Sequence, residues 1–193
     1  MARDEAFNFM YRENVEALKR AGEVVFFSPL RDKSLPEADM VYFPGGYPEL
    51  HLPELAANEG MRQAVRKYCE TGGRVLAECG GMMYLCDTIT DGDGKVYPMA
   101  GVLKQGATME QMKLKLGYRE VRVNGQRIRG HEFHYSRILP GHEKIPVIGT
   151  IYNAKDMVVD TPVYTYKNVL ASYIHFYWGE CGMDHFLMLM SQK

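Results

Sequence analysis

The segment Arg74-Val-Leu-Ala-Glu-Cys79-Gly80-Gly81-Met-Met-Tyr-Leu85 constrains this chain more than any other. The short apolar run Val-Leu-Ala leads through Glu78 to a cysteine, two glycines follow at once, and a helix-forming stretch begins. Short, continuously apolar strands are the mark of a sheet buried on both faces. A strand that turns sharply into a helix behind a nucleophilic side chain is an elbow, here with cysteine where hydrolases place serine. The turn strains the backbone at the nucleophile and needs small neighbours, which glycine supplies. It lifts the sulfur out at the carboxyl ends of the strands, where open α/β sheets bind ligands. The helix amino terminus behind it is expected to favour the thiolate.

The remainder of the first half agrees with such a sheet. Residues 8–21 predict an amphipathic helix with Met10, Val15 and Leu18 inward, stopped by Gly22. Residues 23–27 and 40–43 predict strands, the second running into Pro44-Gly45-Gly46. A helix is expected over about 55–71, with Met61, Val65 and Tyr68 inward, before the strand at 74–78. Alternating helices and short apolar strands indicate an α/β fold with a mostly parallel central sheet and helices on both faces. After Leu85 the pattern becomes strand-rich. Asp91-Gly-Asp-Gly94 is a turn, strand-like pieces follow at 118–123, 128–138, 147–152 and 163–166, and 183–191 reads as a closing helix. Only about seven residues precede the first helix. Either the first strand is unusually short, or the chain is part of a longer polypeptide.

Composition narrows the function. With 193 residues the chain suits one α/β domain. It has 23 basic and 24 acidic side chains without a basic stripe, which argues against nucleic acid as a partner. No apolar run approaches the roughly 20 residues that span a bilayer, and the opening residues carry acids early, unlike a signal peptide. Cysteines at 69, 79, 86 and 181 lack metal or disulfide spacing, so free thiols and a cytoplasmic setting are expected. Cys69, Cys86 and Cys181 read as core residues. Cys79 alone sits in a nucleophile's setting.

A thiol nucleophile for acyl transfer needs oxyanion donors and a base. The N–H of Gly80 is one candidate donor, and a main-chain N–H of the glycine loop at 44–49 is the other. Among the six histidines, His175 in Ala-Ser-Tyr-Ile-His-Phe ends a late strand that can reach the same sheet edge.

Five segments carry a resemblance: FPGGYPELH (43–51), AECGGMMYL (77–85), LGYREVRV (116–123), RGHEFHYS (129–136) and ASYIHF (171–176). Together, and in this order over nearly the whole chain, they resemble class I glutamine amidotransferase domains of the cobyrinic/cobyric type, as in cobyrinic acid a,c-diamide synthase. The resemblance implies a single flavodoxin-like glutaminase domain over 1–193 that releases ammonia from glutamine. By motif position Cys79 takes the nucleophile role, His175 the base role, and Gly46 and Gly80 the oxyanion roles. It also implies a synthetase partner, using ATP and magnesium, that amidates the a and c acetate side chains of a corrinoid precursor. No cofactor or metal is expected in the domain itself. The phosphate-loop pattern GxxxxGK[ST] is absent, so the synthetase must lie elsewhere.

Besides the absent phosphate loop, one feature departs from the wider class. Its frequent His-x-Glu becomes His175-Phe-Tyr177, which removes the acid that orients the imidazole and implies a dyad. Within Gly130-His-Glu-Phe-His134, alternation puts Glu132 and His134 on one face and His131 on the other, which speaks against a shared metal. Glu132 or His134 is expected to support His175 or the bound glutamine. Rival readings are the glutaminase part of cobyric acid synthase or of nickel-sirohydrochlorin a,c-diamide synthase, a non-catalytic flavodoxin-like module, and a Cys-His hydrolase of peptides or esters.

Overall fold

In the computed structural model, residues 1–179 are described, and the expected helix at 183–191 lies outside them. The elements in chain order are α1 (Arg12–Ala21), β1 (Met40–Phe43), α2 (Leu52–Ala57), α3 (Glu59–Glu70), β2 (Arg74–Glu78) and α4 (Gly80–Leu85). Then come β3 (Cys86–Thr90), β4 (Val96–Pro98), β5 (Leu103–Thr108), β6 (Lys115–Val123), β7 (Gln126–His134) and β8 (Arg137–Leu139). The last are β9 (Thr150–Asn153), β10 (Val163–Tyr166), β11 (Val169–Ser172) and β12 (Ile174–Phe176).

The central sheet has the order β1-β2-β11-β10, with the first three strands parallel and β10 antiparallel at the edge. Both of its faces are buried, as the apolar strands require. Val41, Phe43, Val75, Ala77, Val169 and Ala171 pack toward Leu55, Met61, Val65 and Met82 of the helices. Tyr42, Leu76 and Leu170 pack the other way, onto Ala17 of α1 and onto Val121, Ile128 and Ile151 of a second sheet. That sheet, β12-β7-β6-β9, is antiparallel throughout, and a third sheet has the order β4-β3-β5-β8. The fold is the expected α/β one, with a strand-rich second half.

Four local departures have physical causes. The first helix starts at Arg12 rather than Asn8, because the Asp4 carboxylate captures the N–H groups of Ala6 and Phe7 and Phe9 bridges to Gly45. The strand expected at 23–27 contracts to one parallel bridge between Phe27 and Ala2. There Ala2 lies beside β1, its N–H bonded to Tyr42 O. The helix expected over 55–71 is broken at Asn58, whose buried amide donates to the carbonyls of Pro29 and Asp32. Finally, the strand expected at 128–138 divides at Tyr135-Ser136, where the chain passes from the second sheet to the third.

Candidate active site

Cys79 follows β2 directly and has φ +46°, a left-handed conformation that costs a non-glycine residue on the order of 1–3 kcal/mol. Two main-chain bonds hold it there: its N–H donates to Ser172 O, and its carbonyl accepts from Met83 N–H. The glycines that follow are dictated by the loop after β1. A β-carbon on Gly81 would lie 2.4 Å from Phe43 O, and one on Gly80 would lie 2.8 Å from Gly46 O. Only bare backbone lets elbow and loop approach this closely.

The same loop touches His175. A β-carbon on Gly45 would come within 2.2 Å of the imidazole Cε1. Thus Gly45 lies against His175 while Gly46 lies against Gly80, and Cys79 and His175 share one rim at the carboxyl ends of β1 and β2. His175 is buried and packed between two rings. His131 stacks on it at 4.7 Å with 13° between planes, and Phe9 meets it edge-on at 4.6 Å. Its Nδ1 is buried with no hydrogen-bond partner among the described residues, which hold the ring by packing.

The thiol donates to Phe133 O at 3.7 Å rather than to the imidazole. Burial, followed by the carboxylates of Glu49, Glu78 and Glu132, pushes it up to about 12. The Gly80 N–H opposes this but is outweighed, which corrects the expectation that the helix terminus leaves a low-pKa thiol. Burial, then His131 and His134, pushes His175 down to about 3. The resting pair is therefore a neutral thiol and a neutral imidazole, not an ion pair.

Glu132 and His134 share a face, as expected, but neither is hydrogen-bonded to His175. Glu132 accepts from Arg119 Nε at 2.7 Å, from Thr161 Oγ1 at 2.9 Å and from His134 Nε2 at 2.7 Å. Burial alone would raise its pKa; the bonds from His134, Thr161 and Arg119 override that and hold it at about 2. His134 also bonds Ser136 O and lies flat on Tyr173 at 3.5 Å. The residue of that strand that reaches His175 is instead His131, whose Nδ1 meets the Tyr11 hydroxyl. Sequence reasoning assigned no site role to His131, Tyr11, Phe9 or Glu78. Only Glu78 offered a signal, as a lone acid ending an otherwise apolar strand beside the cysteine.

A strained cysteine at a strand–helix elbow thus shares a glycine loop with a buried histidine. The CobB/CobQ-like glutamine amidotransferase domain matches residues 1–182. The chain belongs to that family.

Among its relatives, the hydrogenobyrinate a,c-diamide synthase of Pseudomonas aeruginosa is 40% identical over 178 residues, covering 92% of this chain and 40% of its own length. The cobyrinate a,c-diamide synthase of Salmonella typhimurium is 36% identical over 189 residues, covering 93% of this chain and 41% of its own. The chain thus spans about two-fifths of the length of these relatives. A crystal structure of a glutamine amidotransferase superposes with TM-score 0.60 at 24% identity, covering 94% of each chain. PurLQS from Thermotoga maritima superposes with TM-score 0.60 at 17% identity, covering 98% of this chain and 94% of that one. At these identities both similarities concern the fold. No helix among the described residues is long and apolar enough to cross a membrane.

Proposed function

We propose that this glutamine amidotransferase domain hydrolyses glutamine through a Cys79 thioester and delivers ammonia to an ATP-dependent synthetase. The observation that carries the reading is the left-handed Cys79 at the elbow, with His175 packed against the same glycine loop. Starting from two neutral groups, the His175 imidazole takes the thiol proton as sulfur attacks the side-chain carbonyl carbon of glutamine. The N–H groups of Gly46 and Gly80 receive the oxyanion; losing one such donor costs on the order of 10²–10³ in rate. The imidazolium gives its proton to the departing nitrogen, and ammonia leaves. Water then adds to the thioester, His175 accepts its proton, and glutamate departs with the thiol restored.

The named relatives support an acceptor of the cobyrinate or hydrogenobyrinate kind, amidated at its a and c positions. ATP and magnesium belong to the synthetase portion in this reading. An exposed apolar row supports docking of that portion: Met112, Leu114, Leu116 and Tyr118 all face solvent, Tyr118 at 75% exposure. The test is labelling with a diazo-ketone glutamine analogue, followed by peptide mass mapping and a glutamate-release assay. One adduct at Cys79, absent in Cys79→Ala together with glutamate release, is the expected result. Joined to its synthetase, Cys79→Ala should still use free ammonia. Selective labelling elsewhere, or glutamate release by Cys79→Ala, would refute the assignment.

A further inference from the structure

His175 lies on an edge strand. In the order β12-β7-β6-β9, one side of β12 pairs with β7 and, among the described residues, the other has no strand beside it. Just before it the chain leaves the central sheet: β11 pairs with β2 as far as Ser172 opposite Glu78, turns at Tyr173, and joins the second sheet at Ile174. The parallel ladder that fixes the elbow therefore stops short of the histidine. Buried main-chain groups on the free side of β12 still require partners.

Three buried side chains supply them. Ser172 Oγ accepts from Ile174 N–H at 3.2 Å. Asn14 Nδ2 donates to Phe176 O at 2.6 Å, and its Oδ1 accepts from Trp178 N–H. Glu78 Oε1 accepts from Phe176 N–H at 3.2 Å, while Oε2 meets the Tyr42 hydroxyl at 2.8 Å. Of the three, Glu78 alone is joined covalently to the cysteine. Its carboxyl runs from the residue before the nucleophile to the residue after the histidine, in place of the missing ladder.

We propose that Glu78 is the positioning residue of the pair, setting His175 relative to Cys79 in a site without the acid that follows histidine in other enzymes of the class. This rests on the glutaminase reading. The carboxyl is fully buried and acts through hydrogen bonds, not charge. Tyr42 donates to the carboxyl; an amide of the same length keeps an acceptor for Phe176 N–H and can hold Tyr42 with the bond reversed, its NH2 donating to the phenol oxygen, whereas a side chain one methylene shorter does not reach.

The experiment uses the full chain with Glu78→Gln, Glu78→Asp and Glu78→Leu, measuring kcat and KM for glutamine alongside thermal unfolding and near-UV circular dichroism. Glu78→Gln should keep kcat within about threefold, because both bonds survive. Glu78→Asp and Glu78→Leu should lose on the order of 100-fold in kcat at nearly unchanged KM, since a misplacement of about 1 Å costs that much. If Glu78→Leu does not fold, the Gln–Asp contrast carries the result. Wild-type kcat in a folded Glu78→Asp overturns the proposal, as does a Glu78→Gln that falls as far as Glu78→Asp. A wild-type chain that neither hydrolyses glutamine nor takes label at Cys79 overturns the underlying glutaminase reading, a separate and recognisable failure.

Discussion

Gly45→Ala should separate the geometry of the site from the stability of the fold. Gly45 has no need of a left-handed backbone, so alanine is tolerated by the main chain itself. Its new methyl, however, would sit 2.2 Å from His175 Cε1 and 2.8 Å from Nδ1. Since carbon atoms settle at about 3.5 Å or more, a gap of roughly 1.3 Å must open. The ring has little room to yield, with His131 on its face and Phe9 at its edge. Displacing it by about that distance predicts a loss on the order of 100-fold in kcat, near 2.7 kcal/mol. Overpacking of this kind costs about 1–3 kcal/mol, a Tm decrease of roughly 2–12 °C in a domain of this size. The assay is glutamate release with thermal unfolding on the same samples. Gly46→Ala is the contrast: its methyl would meet Ala6 O at 2.1 Å, rigid backbone, at a residue with φ +158°, so folding itself should fail first. A folded Gly45→Ala with kcat within threefold of wild type would refute the placement of His175 against this loop.

Three further outcomes follow from the electrostatics. With the thiol at about 12, alkylation of Cys79 by iodoacetamide should rise about tenfold per pH unit through pH 10, and a plateau near pH 7 would contradict the buried neutral thiol. Glu78 is raised from 4.5 to about 8, so the folded state binds its proton more tightly; the stability it contributes is full below about pH 4.5 and is lost as pH rises to about 8. That amounts to at most about 5 kcal/mol, and denaturant titrations should show Glu78→Gln gaining on wild type across this window. Glu132 has the opposite sign, lowered to about 2, so its contribution is present above about pH 4.5 and lost as pH falls toward 2. Glu132→Ala strands a nearly buried Arg119 and should cost about 3–5 kcal/mol. Glu132→Gln should lower Tm while leaving the kcat of the folded fraction near wild type, and a kcat loss without a Tm change would restore a catalytic role.

What the sequence reveals is what depends on neighbours along the chain. The elbow is legible because strand, cysteine and two glycines are contiguous, although the steric demand on Gly80 and Gly81 comes from the distant loop after β1. The helix break at Asn58 is not legible, since its partners Pro29 and Asp32 lie far back in the chain. Alternation correctly separated His131 from Glu132 and His134, yet it could not say which face meets His175. The antiparallel register of β12 on β7 sets His131 opposite His175 and sends Glu132 toward Arg119 instead.

The amino-acid order by itself determined the α/β class, the parallel core strands and the identity of the cysteine at the turn, because each follows from backbone sterics and side-chain periodicity over a few residues. Tertiary structure alone decided the state of that cysteine and the orientation of its partner. Burial beside Glu49 sets the thiol high, and a cage of Gly45, His131 and Phe9 holds an imidazole whose Nδ1 meets no acid among the described residues. Desolvation and long-range packing are properties of the assembled interior, so no stretch of neighbouring residues encodes them.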